Sequence, residues 1–279
     1  PLMPWALGRL DLSGYDLVVS SESGPAKGAR VGPDTRQVCY CHSPMRYVWD
    51  MHEAYVRQAA PVLRPAMRLA ARGLRRWDRR TAAALDLVVA NSSHTRERVR
   101  RFWGRDAEVI PPPVDVARFG AAADAAAGTP RRGFVCAGRL VGYKRVDLAV
   151  AACALLGEPL TVVGSGPEEA RLRRMAGPNV RFVSGASDAE VAAALAGARA
   201  LLFPGEEDFG IVPVEAMAAG TPVVAYGRGG ARDTVADGAT GVLFHEQTAE
   251  ALAEAVRRFA AREAEFDAAA VRAHAARFD

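Results

Sequence analysis

Residues 200–220 read ALLFPGEEDFGIVPVEAMAAG and carry the strongest fold signal in the sequence. The run Ala200–Phe203 is short, apolar and followed by Pro204-Gly205, which predicts a buried parallel strand. Pro213 suits a first helical turn, where a missing N–H costs nothing, and Gly220 suits the position just past the last turn. The stretch therefore predicts a strand-to-helix corner, the repeating unit of a parallel α/β sheet.

The predicted corner, residues 209–212, has the features of an anion site. The first N–H groups of a helix have no partner within it, and the helix dipole adds positive potential there. Gly210 would let a ligand approach the backbone closely. Glu207 in the loop and Glu215 in the helix could hold two ends of one ligand, sugar hydroxyls and a ribose, or both could be solvated surface charges. The corner alone leaves these two interpretations open.

The rest of the chain reads as further strand and helix units. The Ala/Gly-rich run 121–129 predicts a linker, so we divide the chain into domains 1–125 and 126–279. Alternating strands and helices imply parallel sheets covered on both faces. Strands are predicted at 16–21, 37–41, 85–90 and 108–110 in the first domain, and at 133–137, 160–163, 180–183, 201–203, 222–225 and 241–244 in the second.

Bulk properties exclude several classes of protein. Half of the 279 residues are hydrophobic, and the net charge of +4 does not by itself indicate nucleic-acid binding. The four cysteines form no CxxC pair, which argues against a disulfide framework or a zinc site. Cys39 and Cys41 alternate along a predicted strand, so we expect both to be buried on one face. No signal peptide or apolar run of transmembrane length is evident, so we expect a cytoplasmic protein.

Residues 62–80 predict a helix with two stripes. One is apolar and is expected to face the core: Leu63, Met67, Ala70, Leu74 and Trp77. The other is basic, and a second basic group begins the next helix: Arg64, Arg68, Arg72, Arg75 and Arg79, then Arg96, Arg98, Arg100 and Arg101. Aligned arginines predict either a solubilising surface or contact with an anionic membrane at the inner face of the plasma membrane.

The segment around Glu207 and Glu215 resembles the signature of family 4 of the retaining, nucleotide-sugar-dependent glycosyltransferases. Further similarity covers nearly the whole chain in the expected order: CHSPMR at 41–46, VANSS at 89–93, VIPPPVD at 109–115 and AGRLVGYKRVD at 137–147. The resemblance implies the GT-B fold, two facing Rossmann-like domains with parallel sheets. It is closest to a bacterial subgroup that transfers mannose or a related sugar in surface-polysaccharide assembly, such as lipopolysaccharide.

The resemblance also implies roles for particular residues. His42, at the carboxyl end of a strand, would contact the donor sugar, and Glu207 would position that sugar while Glu215 holds the ribose. The donor diphosphate would lie on cationic side chains and on the corner backbone, where negative charge accumulates as the sugar–phosphate bond breaks: Arg139, Lys144, Phe209, Gly210 and Ile211. Weaker matches assign the loop and base contacts to Gly164, Gly166 and Val183. As a dinucleotide fingerprint the loop fails, because Glu169 stands at the third glycine position.

The expected activity is retaining transfer of a hexose, with mannose from GDP-mannose favoured, to a glycan or lipid-linked acceptor. The family's front-face displacement needs no protein nucleophile, and the lack of an Asp-x-Asp motif predicts a metal-independent reaction without a cofactor. The nucleotide sugar, GDP- or UDP-linked, is the donor substrate.

Two alternatives remain open at this stage. The chain begins at Pro1 without the opening strand and glycine-rich turn of a first Rossmann-like domain, and it ends within a helical pattern. We therefore expect a fragment with an incomplete N-terminal domain, which could bind nucleotide sugar without turnover. The other alternative is a different GT-B enzyme, such as a nucleotide-sugar epimerase. A phosphorylase would need a pyridoxal-phosphate lysine, and Lys27 and Lys144 are the only lysines.

Overall fold

The computed structural model describes residues 3–279 and divides the chain into two compact units. The division lies between Pro111 and Pro112, whereas the sequence suggested a boundary after residue 125. Both units are built on parallel sheets, so the predicted α/β class is confirmed.

The first unit contains a four-stranded parallel sheet and a two-stranded one. The strands are β1 (Asp11–Leu12), β2 (Leu17–Glu22), β3 (Arg30–Val31), β4 (Arg36–Cys41), β5 (Leu87–Ala90) and β6 (Glu108–Val109). The larger sheet has the order β2-β4-β5-β6, and β1 pairs with β3. The helices are α1 (Met3–Leu7), α2 (His52–Gln58), α3 (Arg64–Ala83) and α4 (Ser93–Trp103).

Strand β4 has one buried face, as its alternating cysteines predicted. Cys39 and Cys41 are fully buried in a core that also contains Val88 and Val99. Burial, together with the Glu22 carboxylate, raises the pKa of the Cys39 thiol to about 12. This thiol is therefore an inert core group rather than a reactive one.

Helix α3 buries only part of the face that its sequence suggested. Met67, Leu74 and Trp77 of the predicted apolar stripe are half-buried, but Leu63 and Ala70 are exposed, and Asp78 has no exposed surface. Asp78 Oδ1 lies 2.6 Å from the Nζ of buried Lys27. Burial by itself lowers the pKa of Lys27, but the carboxylates of Asp78 and Glu22 outweigh this effect and raise it. Asp78 can be buried in the core because Lys27, from an earlier part of the chain, neutralises its charge.

Two indole groups complete the bonding of this buried carboxylate. The side chains of Trp49 and Trp103 each donate a hydrogen bond of 2.7 Å to Asp78 Oδ2. Lys27 Nζ lies 3.0 Å from Glu22 Oε1 and 4.4 Å from the centre of the Trp103 ring. The network thus joins four separate parts of the chain: β2 and its following loop, the segment before α2, α3, and α4.

The second unit has a six-stranded parallel sheet with the order β12-β11-β10-β7-β8-β9. Its strands are β7 (Phe134–Ala137), β8 (Leu160–Val163), β9 (Val180–Val183), β10 (Ala200–Phe203), β11 (Val223–Tyr226) and β12 (Gly241–Phe244). Counted from β7, this is the 3-2-1-4-5-6 order of a doubly wound fold, whose direction reverses between β7 and β10. Ligands bind such sheets at the carboxyl ends of the strands beside that reversal.

Helices cover both faces of this sheet. They are α5 (Val116–Ala125), α6 (Val146–Leu156), α7 (Glu169–Met175), α8 (Asp188–Ala196), α9 (Ile211–Ala218), α10 (Ala231–Thr234), α11 (Ala249–Ala261) and α12 (Ala268–Ala275). Leu201 faces one core with Val214 and Val271, and its neighbour Leu202 faces the other with Phe259. Such two-sided burial explains why the strands read as continuous apolar runs.

The predicted linker at 121–129 is wrong over its first half. Residues 121–125 complete α5, which begins after Asp115, whose side chain accepts a hydrogen bond from the Arg118 N–H. Phe119 is buried in the core of the second unit. Alanine is the best helix former, so a run of alanines that reads as a linker by composition becomes helix once Phe119 anchors it.

Candidate functional site

The reversal of strand order brings the predicted donor-site residues of the second unit to one edge of its sheet. Arg139 and Lys144 lie in the loop after β7, and Glu207 lies in the loop after β10. The loops after β8 and β11 flank them at the same edge, because all six strands are parallel. Residues distant in sequence are therefore neighbours at the position where doubly wound folds bind ligands.

Lys144 and Glu207 form the central contact of this edge. Lys144 Nζ lies 2.7 Å from Glu207 Oε1, and the two side chains are only 14% and 18% exposed. Lys144 also lies against Gly138, where an added Cβ would come within 3.1 Å of Nζ. Two residues that the sequence assigned to different parts of a donor thus bind each other directly.

Glycines allow the loops after β7 and β8 to pack backbone against backbone. A Cβ on Gly164 would lie 2.0 Å from the Gly138 oxygen, and one on Gly166 would lie 2.4 Å from the Leu140 oxygen. The Leu140 N–H donates to the Ser165 oxygen at 2.9 Å. These contacts account for both predicted glycines structurally, and their contact with a ligand stays a prediction.

The loops after β10 and β11 are joined in the same way. A Cβ on Gly229 would lie 2.2 Å from the Glu207 oxygen, and one on Gly230 would lie 2.2 Å from the Phe209 oxygen. The Gly230 N–H donates to the Glu207 oxygen at 2.8 Å. No role was predicted for Gly229 and Gly230, although a glycine pair after a buried strand is a signal for close backbone approach.

The strand-to-helix corner has the predicted form. Gly210 precedes α9 with φ 85° and ψ 76°, and no side chain caps the helix. The N-cap residue therefore gives the first N–H groups of α9 no side-chain partner, and Pro213 has no N–H. Phe209 is buried and packs edge-on against Phe278 at 5.8 Å, so only its backbone can serve a ligand.

Glu215 is half-buried on α9, near a second ion pair. Burial raises the pKa of its carboxyl group, and the nearby Asp188 carboxylate adds to the effect, while Arg118 and Lys144 oppose it. Arg118 itself pairs with Asp188 at 2.7 Å. Arg118 was not singled out in the sequence, because an arginine in a first helical turn carries no distinctive signal.

Two further predicted residues of this unit lie at the same edge. Arg139 is exposed, and no ion pair involves it among residues 3–279. Val183 ends β9, and its carbonyl oxygen accepts a hydrogen bond of 2.8 Å from the Gly164 N–H. That bond occupies the Val183 carbonyl, so its predicted contact with a base stays a prediction.

His42 lies in the first unit, directly after β4. Its Nε2 shares a hydrogen bond of 2.8 Å with Ser21 Oγ, and its ring meets the ring of Tyr40 edge-on at 5.1 Å. Its backbone is held at both ends, since the N–H donates to the Glu22 oxygen and the carbonyl accepts from Thr95 Oγ1. The position of the imidazole is thus fixed within this unit.

Most arginines of the predicted basic stripes have partners within the first unit. Arg68 pairs with Glu53, while Arg75 and Arg79 donate to carbonyl oxygens and lie over the Trp49 ring. On α4, Arg98 is buried against Asp50. Arg72 of the predicted stripe is exposed, as are its neighbours Arg76, Arg80, Leu69 and Val62, so this part of α3 presents a basic surface with apolar residues beside it.

Two properties of the described chain concern the membrane and metal predictions. Over residues 3–279, no helix combines the length and the apolar character that crossing a bilayer requires. In the same part of the chain, no three His, Cys, Asp or Glu side chains are grouped as metal ligands would be. Metal independence is a statement about the reaction and stays a prediction.

Comparison with protein families gives two matches. The family described as "Glycosyl transferases group 1" matches residues 123–276, more than half of the chain. The family described as "Glycosyltransferase Family 4" matches residues 1–118.

Curated relatives include two mycobacterial mannosyltransferases. The chain is 34% identical over 205 residues to a GDP-mannose-dependent alpha-(1-6)-phosphatidylinositol monomannoside mannosyltransferase of Mycobacterium tuberculosis, covering 64% of this chain and 53% of the relative. It is 38% identical over 182 residues to a phosphatidyl-myo-inositol mannosyltransferase of Mycobacterium leprae, covering 60% and 48%. The chain spans about half the length of the curated relatives that it matches.

Solved structures share the fold over nearly the whole chain. A sucrose-phosphate synthase from Thermosynechococcus elongatus matches with a TM-score of 0.73 and 25% identity, covering 95% of this chain and 70% of the other. Anabaena Alr3699/HepE in complex with UDP-glucose matches with a TM-score of 0.68 and 20% identity, covering 95% and 75%.

Proposed function

Because this chain belongs to the group 1 glycosyl transferases, we propose that it forms the donor-binding unit and part of the acceptor-side unit of a hexosyltransferase. The donor is a nucleotide sugar, with GDP-mannose favoured because the relatives named above include mannosyltransferases, one of them GDP-mannose-dependent. The observation that carries the proposal is the Lys144–Glu207 contact at the strand-order reversal, beside the uncapped start of α9.

The donor diphosphate is assigned to the cationic part of this edge. Arg139 is exposed and suits bidentate binding of phosphate oxygens, while Lys144 acts as a point charge. The N–H groups at the start of α9 and the helix dipole add fixed positive potential. Together they stabilise the negative charge that develops on the leaving diphosphate as the sugar–phosphate bond breaks.

The two glutamates are assigned to the two ends of the donor. Glu207, in the loop beside Lys144, accepts hydrogen bonds from hydroxyls of the sugar being transferred. Glu215, on α9 and next to Arg118, accepts hydrogen bonds from the ribose hydroxyls. On this assignment, donor binding separates Lys144 from Glu207. Lys144 then pairs with the diphosphate and Glu207 with sugar hydroxyls, so neither charge is left without a partner.

We assign His42 to the transferring sugar on the strength of its sequence motif. In the proposed retaining reaction, the acceptor hydroxyl attacks the anomeric carbon on the face from which the diphosphate leaves. The new C–O bond forms as the sugar–phosphate bond breaks, and a leaving phosphate oxygen takes the hydroxyl proton. This scheme needs neither a protein nucleophile nor a metal ion.

The proposed acceptor is a glycan or a lipid-linked glycan at the inner face of the plasma membrane. The relatives' names specify phosphatidylinositol glycolipids, which places such acceptors first among the candidates. Arg72, Arg76 and Arg80 on α3, with exposed Leu69 and Val62, offer a surface for anionic lipid, each arginine contributing about 1 kcal/mol. Replacing these three arginines by alanine should reduce sedimentation with phosphatidylinositol vesicles and leave phosphatidylcholine vesicles unaffected.

A second candidate function is nucleotide-sugar binding without turnover. Arg139, Lys144, Glu207 and Glu215 all lie in the second unit, so the residues assigned to the diphosphate and the ribose belong to one unit. Calorimetry of this chain with GDP and UDP measures binding, and a transfer assay of the full-length protein with GDP-mannose measures turnover. Binding with turnover supports a transferase, and binding with no turnover on any acceptor supports the second candidate. NMR of the product's anomeric proton tests retention and also detects epimerised sugar.

A further inference from the structure

Ser21 and His42 lie on the same face of the first unit's sheet. Ser21 is opposite Tyr40 in the register of β2 and β4, and His42 follows two residues beyond Tyr40. Along β2, Ser20 and Glu22 point into the core, so Ser21 points to the other face. This diagonal position brings Ser21 Oγ within 2.8 Å of His42 Nε2.

The imidazole is held from two further directions. The Tyr40 ring packs edge-on against it at an interplanar angle of 78°, and the Tyr40 hydroxyl donates to the Ile110 oxygen at 2.9 Å. Because Tyr40 is tied to the end of β6, it cannot swing away without losing that bond. The backbone of His42 is fixed by its hydrogen bonds, so only its side-chain torsions can change. The hydrogen bond to Ser21 restrains those torsions.

We propose that Ser21 is a positioning residue for His42, and that it determines which ring nitrogen meets the reactants. With Nε2 engaged by Ser21 Oγ, the ring presents Nδ1, which has no hydrogen-bond partner among residues 3–279. A serine hydroxyl both donates and accepts, so it holds the same ring orientation in either neutral tautomer. This inference rests on the proposed role of His42 at the transferring sugar.

The test uses the full-length enzyme and a double-mutant cycle. Ser21→Ala should lower kcat about fivefold, the effect of one hydrogen bond, with GDP affinity unchanged. In a His42→Ala background, the same change should have no effect, because Ser21 acts through His42. Ser21→Thr keeps the hydroxyl and should retain activity, and Ser20→Ala is the matched control because its side chain faces the core. An equal loss from Ser21→Ala in both backgrounds would overturn the inference.

Two further readouts separate this inference from the proposed function. The amide of asparagine occupies the position of histidine Nδ1, and the amide of glutamine occupies that of Nε2. Because Nδ1 is the atom proposed to meet the reactants, His42→Asn should retain more turnover than His42→Gln. The reverse order would overturn the assignment of Nδ1. In ¹⁵N NMR of histidine-labelled protein, Ser21→Ala should shift the His42 Nε2 resonance, and an unchanged resonance would overturn the Ser21 contact whatever the activity. If His42→Ala keeps full turnover, the proposed role of His42 fails and this inference fails with it.

Discussion

The contact between Lys144 and Glu207 predicts that replacing Lys144 lowers both stability and ligand affinity, and that a second substitution at Glu207 restores only the stability. Lys144→Met keeps the apolar stem of the side chain and removes its charge. Glu207, whose side chain is 18% exposed in the wild-type structure, then loses the ammonium group that lies 2.7 Å from it. Leaving a mostly buried carboxylate without its partner should lower the free energy of unfolding by about 2 kcal/mol.

The same substitution should weaken diphosphate binding. A charge-assisted contact contributes about 1.5–3 kcal/mol, so GDP affinity should fall roughly 10- to 100-fold. The double variant Lys144→Met/Glu207→Gln should recover most of the stability and none of the affinity. Arg139→Met is the matched control, since Arg139 is exposed and its loss should weaken GDP binding at little cost in stability.

Denaturant unfolding measures the first effect and isothermal titration calorimetry with GDP measures the second. Wild-type GDP affinity in both Lys144→Met and Arg139→Met would refute the diphosphate assignment. A double variant as unstable as Lys144→Met would refute the claim that the unpaired carboxylate causes the loss of stability.

Four other outcomes are expected. Glu207→Gln should keep GDP affinity but lose most turnover in the full-length enzyme, and Glu215→Gln should mainly raise the donor KM; the reverse pattern would contradict the division of roles. Turnover should survive EDTA, and loss by chelation with rescue by Mg²⁺ or Mn²⁺ would show a metal requirement. Because the Glu215 pKa is raised, the native state holds its proton to higher pH than the unfolded chain, so stability is lost as pH rises through the native pKa. Glu215→Gln should therefore raise Tm at pH 7 and have less effect near pH 4, and an equal effect at both pH values would argue against this sign. Gly230→Ala, whose Cβ would lie 2.2 Å from the Phe209 oxygen, should cost about 2 kcal/mol in denaturant unfolding, whereas Gly73→Ala, in open space on α3, should be neutral or stabilising.

The elements that depend on a local sequence pattern were predicted correctly. The strands of the second unit were found to within about a residue, and β8, β9 and β12 have the predicted bounds. Four of the six, β7, β8, β10 and β11, are largely apolar runs followed directly by glycine or proline. The corner before α9 was recognised because proline and glycine mark the start and the end of a helix in different ways.

Features that depend on a distant partner were not predicted. The burial of Asp78 on α3 follows from its pairing with Lys27, which lies before β3, β4 and α2 in the chain, and no helical periodicity encodes that pairing. The Lys144–Glu207 contact likewise requires knowing that β7 and β10 are adjacent. The glycine pair 229–230 required knowing which loop passes against it.

The close backbone packing at the carboxyl-end edge of the second unit's sheet, the proposed donor site, has a consequence for directed evolution of donor preference. Random substitution at Gly164, Gly166, Gly229 or Gly230 should yield mainly misfolded clones, because a side chain there would overlap a neighbouring loop. Gly142 lies between Arg139 and Lys144 in the sequence. Unlike the other four glycines it has space for a side chain, because a Cβ added there meets no non-adjacent atom of the described chain within 4 Å. A saturation library at position 142 can therefore introduce new chemistry beside Arg139 and Lys144, the proposed diphosphate residues, while the surrounding scaffold stays intact.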